Sequence, residues 1–174
     1  MTSVISSSFL VSPRSRVHIR WMIRRDMIDV LDIEKRSYTD PWSEEDFLRV
    51  LRQRNCIGMV AEQNNRVIGY MIYELHRNKI QVLNFVVHSN FRRIGVGTQL
   101  IEKLVAKLSS HRRNQITFII NELNLETVGV FLRKLGFGAH SIMRDYFEVI
   151  DSETEEVTVR DGILMNYYLE GSDE

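Results

Sequence analysis

The sequence is poor in the residues that cross-link or interrupt a chain. Of its 174 residues, one is cysteine and two are proline, Pro13 and Pro41. The single cysteine, Cys56, excludes an internal disulfide and a Cys-x-x-Cys zinc site, and it favours a reducing, cytoplasmic location. The scarcity of proline excludes a proline-rich linker, so we expect one domain of ordinary size.

Long hydrophobic runs are also missing. No apolar run approaches the length of a membrane-spanning helix, and the uncharged stretch at residues 2–13 is short and rich in serine. That stretch has no basic region before it, which argues against a signal peptide. We expect residues 1–17 to form a flexible extension, residues 18–170 one folded domain, and residues 171–174 an acidic tail.

Neither sign of charge dominates. The chain carries 23 Lys plus Arg and 23 Asp plus Glu, which excludes a uniformly basic nucleic-acid coat and a uniformly acidic protein. We therefore expect no direct nucleic-acid or membrane partner. The distribution is uneven, because residues 1–25 carry five arginines and no acid, whereas residues 145–174 carry ten acids and one arginine. The acidic end is either a solvated surface or lies near a site for a cationic substrate.

Apolar periodicity predicts a mixed α/β domain with the order β-α-α-β-β-β-α-β-α-β-β. The predicted strands are residues 18–22, 57–62, 66–74, 80–87, 115–120, 141–149 and 163–169. The predicted helices are residues 26–35, a segment from Ser43 to Leu51, a segment after residue 98 that reaches Leu108, and residues 126–135. Local signals support these limits: Asn64-Asn65 suits a tight hairpin, Ser43 and Asp46 form a capping box, and Gly136 suits a left-handed helix end.

A strand that runs into a glycine turn and then a helix is the most informative stretch, LNFVVHSNFRRIGVGT at residues 83–98. Glycine lets the backbone approach a ligand closely, and the first N–H groups of a helix have no partners within it. Together these features predict an anion site suited to a pyrophosphate. A P-loop is excluded because Thr98-Gln99 follows Gly97, and a dinucleotide fingerprint is excluded because Leu100 stands where a third glycine is needed.

The stretch resembles the pyrophosphate loop of the GNAT superfamily of acetyl-CoA-dependent N-acetyltransferases, whose Gln/Arg-x-x-Gly-x-Gly/Ala pattern is matched by residues 92–97. Residues 83–87 resemble the superfamily's splayed strand, and Asn124 with residues 131–137 resembles a second segment. The resemblance implies one GNAT-like domain, with a central, mostly antiparallel, splayed sheet flanked by helices, that transfers acetyl from acetyl-CoA to a primary amine without a metal. It also implies the cofactor-binding residues, which are Phe85, Val86, Val87, Arg92, Arg93, Ile94, Gly95, Val96, Gly97, Thr98 and Asn124.

Two shorter segments, DPWSEEDF at residues 40–47 and RDYF at residues 144–147, resemble GNAT enzymes that acetylate the N-terminal alanine of a ribosomal protein. This resemblance implies direct attack of a protein N-terminal amine on the thioester in a ternary complex. It implies that Trp42 and Tyr146 contact the acceptor, and that a backbone N–H near Val87 stabilises the oxyanion.

The catalytic groups are less clear from the sequence. Those relatives use a glutamate and a tyrosine, but the matching positions here are Ile119 or Ile120 and Leu132. The candidate base is Glu122, the nearest acid, and the candidate acid is Tyr146; the alternatives are an exposed carboxylate and a half-buried core tyrosine. A non-catalytic acyl-CoA-binding module, or an enzyme for a small-molecule amine, therefore stays open.

Overall fold

A computed structural model describes residues 17–171 of the chain. Almost all of the predicted N-terminal extension and most of the predicted acidic tail lie outside the described residues. The remaining residues form seven strands and four α-helices, connected by short turns.

The strands are β1 His18–Trp21, β2 Cys56–Gln63, β3 Arg66–Leu75, β4 Lys79–Val87, β5 Gln115–Asn121, β6 Gly138–Ile150 and β7 Val157–Tyr168. The α-helices are α1 Met27–Ser37, α2 Glu44–Leu51, α3 Val96–Val105 and α4 Val130–Lys134. Single 3₁₀ turns precede α1 and follow β4 and β5, and a π-helical turn, Leu125–Gly129, leads into α4.

All seven strands form one sheet in the order β1-β2-β3-β4-β5-β7-β6. Only β4 and β5 run parallel; every other neighbouring pair is antiparallel. The prediction of a central, mostly antiparallel sheet flanked by helices is therefore confirmed. The parallel pair is connected through α3, as a crossover between parallel strands requires.

The helices cover the two faces of the sheet and create two hydrophobic cores. Helices α3 and α4 bury Val96, Leu100, Ile101, Leu104 and Leu132 against one face. Helices α1 and α2 bury Met27, Val30, Ile33 and Phe47 against the other face. Both cores share β3, so this strand is buried along most of its length.

Several local signals were correct. Asn64 and Asn65 both have positive φ, 50° and 59°, in the β2–β3 turn. The Ser43 side chain accepts the Asp46 N–H and the Asp46 side chain accepts the Ser43 N–H, which is a complete capping box. Gly136 has φ 96° after α4.

Three predicted elements need correction. The predicted helix at residues 126–135 begins as a π-helical turn and becomes α-helical only at Val130. Strand β7 begins at Val157, six residues before the predicted start, because it pairs with β6 along the whole hairpin. Helix α3 begins at Val96, inside the predicted turn, and ends at Val105 rather than at Leu108.

An ion-pair cluster fixes the start of α1 to the first strands. The Arg20 guanidinium donates to both oxygens of Asp26, at 2.7 and 2.8 Å, and to Glu62 Oε2 at 2.7 Å. Asp26 is 4% exposed. Burial by itself would raise the pKa of Asp26, but hydrogen bonds from Arg20 and from the Ile23 N–H, with the charges of Arg20 and Arg25, lower it.

We expect Asp26→Asn to lower the free energy of unfolding by about 1–3 kcal/mol, because Arg20 loses the more buried of its two charged partners and keeps only Glu62. The folded-state pKa of Asp26 lies below the unfolded value. The ionised carboxylate therefore stabilises the fold above the unfolded pKa, and this stabilisation is lost as pH falls through the folded pKa. Denaturant unfolding of both proteins at about pH 7 and about pH 3 measures this. A wild-type-to-variant difference that does not shrink on acidification would contradict it.

Candidate active site

Strands β4 and β5 diverge in the middle of the sheet. Their parallel pairing runs from Lys79 with Gln115 to Val82 with Phe118 and then ends. Residues 84–87 of β4 still pair with β3 but no longer with β5. This is the splayed strand that the sequence predicts.

A β-bulge lies where the divergence begins. Ile72 of β3 pairs with Asn84 while Tyr73 pairs with Val82, so Leu83 is the extra residue. A bulge shifts the alternation of side chains by one residue. As a result, Ile80 and Val82 belong to the α3–α4 core, whereas Val86, beyond the bulge, belongs to the α1–α2 core.

The open edge of β4 is formed by Phe85 and Val87. His88 N donates to Ile68 O at 2.8 Å, so the antiparallel alternation directs the backbone groups of Phe85 and Val87 away from β3. Two side chains reach their carbonyls: Tyr38 Oη donates to Phe85 O at 3.2 Å, and Arg92 Nε donates to Val87 O at 2.9 Å.

Val86 differs from its two neighbours. Its side chain is 5% exposed, and the same alternation directs its backbone groups toward β3. Val86, which is predicted to contact the cofactor, therefore keeps its backbone groups within the sheet. The accessible backbone groups are those of its neighbours Phe85 and Val87.

The glycine turn builds the N-terminus of α3. Gly95 is the N-cap residue, with φ 92°, and Arg93 before it also has positive φ, 62°. Two left-handed residues turn the chain sharply, so that the first N–H groups of this ten-residue helix point out of its end. With exposed Arg92 and Arg93 beside them, these groups form a positively charged site that fits a pyrophosphate.

Gly97 lies where α3 packs against aromatic side chains of β4 and α4. A Cβ on Gly97 would lie 3.2 Å from Phe131 Cζ and 3.4 Å from Phe85 Cζ. The missing side chain thus allows α3 to pack closely against the aromatic rings of β4 and α4.

Helix α4 contributes Phe131 to the diverging strands. The Phe131 ring stacks on Phe85 with centroids 6.1 Å apart and an interplanar angle of 15°. Leu132, the residue matched to the relatives' tyrosine, is completely buried in the core. A π-helical turn precedes α4, and Phe131 is the α4 side chain that stacks on Phe85 of the diverging strand.

The candidate base and the candidate acid both lie close to the same two residues of β7. Glu122 immediately follows β5, and its Oε1 accepts the Asp161 N–H at 3.2 Å. Residues 144–146 bulge out of β6 opposite Asp161. A Cβ on the next residue, Gly162, would lie 3.1 Å from Tyr146 Cβ and 2.8 Å from Ile119 Cγ2. Glu122 and Tyr146 are both exposed and flank this point of the sheet.

Asp161, which the sequence did not single out, holds the β6 bulge in place. Its carboxylate accepts the Asp145 N–H at 2.9 Å and pairs with Arg144 at 2.6 Å. The hydrogen bond from the Asp145 N–H, with Arg144, outweighs desolvation and lowers the pKa of Asp161. The bulge therefore presents Tyr146 from a fixed backbone.

A buried carboxylate, Glu34, organises the segment that carries Trp42. Glu34 is 1% exposed. Its Oε1 accepts the Trp42 N–H at 2.9 Å, and its Oε2 accepts Asn84 Nδ2 at 3.1 Å and the Tyr70 hydroxyl. The only signal in the sequence was an acid on the apolar face of α1.

Trp42 itself is half-buried. Its ring packs edge-on against Phe47 with centroids 5.1 Å apart. Trp42 thus anchors the segment between α1 and α2 to the α1–α2 core. Asn124, predicted to contact the cofactor, is exposed at the end of the turn that follows β5.

The comparisons with known proteins agree with this geometry. The family model described as "Acetyltransferase (GNAT) family" matches residues 27–137, more than half of the chain. The chain belongs to the GNAT acetyltransferase family. The expected enzyme class, an acetyl-CoA-dependent N-acetyltransferase, is thereby confirmed.

The GNAT chain is similar to the [ribosomal protein bS18]-alanine N-acetyltransferase of Escherichia coli K12, with 23% identity over 132 residues that cover 76% of this chain and 88% of the relative. The crystal structure of the ribosomal-protein-S18-alanine N-acetyltransferase from Escherichia coli covers 91% of this chain and 97% of its own, with TM-score 0.76 and 21% identity. NAA60 of Arabidopsis thaliana in complex with acetyl-CoA has TM-score 0.72 and 13% identity, and covers 90% and 100%. These two structures show the fold.

Residues 17–171 contain neither a metal-binding cluster nor a membrane-spanning helix. No group of three or more His, Cys, Asp or Glu side chains there is arranged to hold a metal ion. Among the helices of the same residues, none has the length and apolar character needed to cross a membrane.

We expect Gly95→Ala to weaken acetyl-CoA binding by about tenfold. A side chain at φ 92° costs about 1–2 kcal/mol, and relief of that strain moves the N–H groups of the anion site. Titration calorimetry with acetyl-CoA measures the change. Gly138→Ala is the matched control, since its Cβ would meet nothing within 4 Å. Equal affinities for Gly95→Ala and wild type would contradict the expectation.

Proposed function

We propose that this GNAT enzyme acetylates the N-terminal α-amine of a protein by direct attack within a ternary complex. The proposal rests on the features that lie together at the diverging ends of β4 and β5. An open strand edge and the N-terminus of α3 lie on the β4 side, and an exposed carboxylate and tyrosine lie on the β5 side. The activity in the name of the Escherichia coli relative supports a protein N-terminus as acceptor.

Acetyl-CoA supplies the acetyl thioester, and several groups of this chain fit it. The N–H groups that begin α3, with Arg92 and Arg93, suit the pyrophosphate, and we assign further cofactor contacts to the rest of residues 92–98 and to Asn124. The backbone of Phe85 and Val87 offers hydrogen bonds to the pantetheine amides and one N–H to the developing oxyanion. A fixed backbone donor stabilises such a charge strongly in a site that excludes water.

The acceptor amine must lose a proton before or during attack. Glu122 is the carboxylate at the end of β5, held by the Asp161 N–H, and we assign it the role of base, directly or through a water. Tyr146, on the β6 bulge, and Trp42, in the segment between α1 and α2, are assigned contacts with the acceptor. Holding the amine against the thioester contributes several kcal/mol in addition.

We expect Glu122→Gln to lower kcat by about 10²-fold or more, as is typical when a general base is removed. Thiol release from acetyl-CoA, with peptides that begin with alanine and with small primary amines as acceptors, measures this. Glu126→Gln is the matched control, because Glu126 is an exposed acid on the following turn. Unchanged kcat in Glu122→Gln would exclude it as base. Tight acetyl-CoA binding by the wild type without thiol release for any acceptor would instead favour the non-catalytic module.

The acidic end of the chain favours a basic acceptor. The turn between β6 and β7 carries exposed Glu153, Glu155 and Glu156, and the same hairpin presents Tyr146 nearer its base. Asp151 is distinct, since its Oδ1 accepts the N–H groups of Glu153 and Thr154 at 2.8 and 2.9 Å and so shapes the turn. The three glutamates are therefore the charges available to an acceptor.

We expect simultaneous Glu153→Gln, Glu155→Gln and Glu156→Gln substitutions to raise the KM for a lysine- and arginine-rich acceptor peptide by up to about fivefold, the scale of an exposed ion pair. The effect should diminish at high salt, which screens exposed charges. Steady-state kinetics with a neutral peptide of the same first residues is the control. The same KM in variant and wild type for the basic peptide would assign these acids to solvated surface.

A further inference from the structure

One chemical step still needs a group in this site. When the amine displaces the thioester sulfur, the sulfur leaves as a thiolate and must gain a proton. The side chain that α4 places against the diverging strands is Phe131, which has no proton to give. The hydroxyl that contacts the open edge of β4 is that of Tyr38, which donates to Phe85 O at 3.2 Å.

Tyr38 reaches the open edge of β4 from the face of the sheet that α1 covers, whereas α4 covers the other face. It is the residue that follows α1, and its backbone N–H donates to Glu34 O at 3.1 Å, which closes the last turn of the helix. The residue as a whole is 40% exposed, while its hydroxyl points to the backbone of β4. The side chain thus extends from a helix end across to the reacting edge.

The backbone on both sides of Tyr38 is tied to the same residue. On one side is the helix-ending bond to Glu34 O; on the other, the Trp42 N–H donates to Glu34 Oε1. Glu34 is itself held by Tyr70 and Asn84, on the two strands beneath it. Because the backbone that carries it is fixed, the Tyr38 side chain loses little conformational entropy when it reacts. An effective catalytic group requires such positioning.

The surroundings of Tyr38 keep its hydroxyl protonated. Burial of the hydroxyl end and the negative charge of Glu34 raise the pKa of Tyr38, and the charge of Arg92 opposes them only in part. Tyr70, the other tyrosine that faces Glu34, also has a raised pKa, first through burial and then through Glu34. A phenol in this setting is a proton donor rather than a base across the working pH range.

We propose that the Tyr38 hydroxyl donates the proton that the departing sulfur receives. The proposal rests on the proposed acetyl transfer. The amine nitrogen forms a bond to the acetyl carbon, the carbon–sulfur bond breaks with its electron pair on sulfur, and the Tyr38 proton passes to sulfur. Glu122 takes the proton that the attacking nitrogen loses, and the Tyr38 phenolate recovers a proton from Glu122 through water, so that one proton moves in total from nitrogen to sulfur. Tyr146 retains the acceptor contact.

The test compares three Tyr→Phe variants of the full chain. We expect Tyr38→Phe to lower kcat by about 10²-fold and to leave the KM for acetyl-CoA and the Kd of CoA within twofold, because the interaction is made only in the transition state. The deficit should be constant from pH 6 to pH 9, since the group it removes stays protonated. Tyr146→Phe should mainly raise the acceptor KM. Tyr168→Phe, at an exposed tyrosine on β7, should match the wild type.

Three results would overturn the proposal. These are a kcat of Tyr38→Phe within twofold of the wild type, a loss accompanied by an equal rise in the KM for acetyl-CoA, or an equal loss in Tyr168→Phe. CoA titration reports whether Tyr38→Phe is folded, which separates a chemical defect from a structural one. A wild-type enzyme that releases no thiol with any acceptor would overturn the proposed function as well, whereas an active wild type with an equally active Tyr38→Phe would overturn the assignment of Tyr38 alone.

Discussion

The early end of pairing between β4 and β5 is the constraint on which the site depends. While two parallel strands pair, their backbone groups are used within the sheet, and none is available to a ligand. Here the pairing stops at Val82, and the bulge at Leu83 reverses which residues face which core. The same irregularity exposes the backbone of Phe85 and Val87 and turns Asn84 toward Glu34. Site geometry and core composition therefore have one common cause.

Glu34 connects the α1–α2 core with the open edge of β4. A carboxylate that is 1% exposed is costly to bury unless its oxygens are paired. Three donors from different elements meet that requirement: a tyrosine on β3, an asparagine on β4 and a backbone N–H before α2. Such a network stabilises one arrangement of the α1–α2 segment over others, so the position of Tyr38 and Trp42 follows from packing beneath the sheet.

Local chemistry made much of this predictable. The Asn64-Asn65 turn, the Ser43 cap, Gly136 and the glycine turn each depend on residues close in sequence, and each was read correctly. What could not be read depends on contacts between distant residues. Phe131 rather than Leu132 contacts Phe85, because the packing of α4 against the sheet buries Leu132 in the core. The role of Asp161 depends on β6 and β7 being adjacent, and Tyr38 depends on the direction in which α1 ends.

The β6–β7 hairpin has two parts that differ in mechanical support. From Gly162 to Asn166 β7 pairs with both β5 and β6, whereas its residues 157–160 pair with β6 alone. A two-stranded ribbon adds little stability by itself, and Ile150, Val157 and Val159 in it are exposed. The distal ribbon can therefore change its length, charge or sequence with little effect on the sheet that holds the cofactor. The acceptor contact that we propose for the acidic turn therefore lies on the part of the molecule whose sequence the fold constrains least.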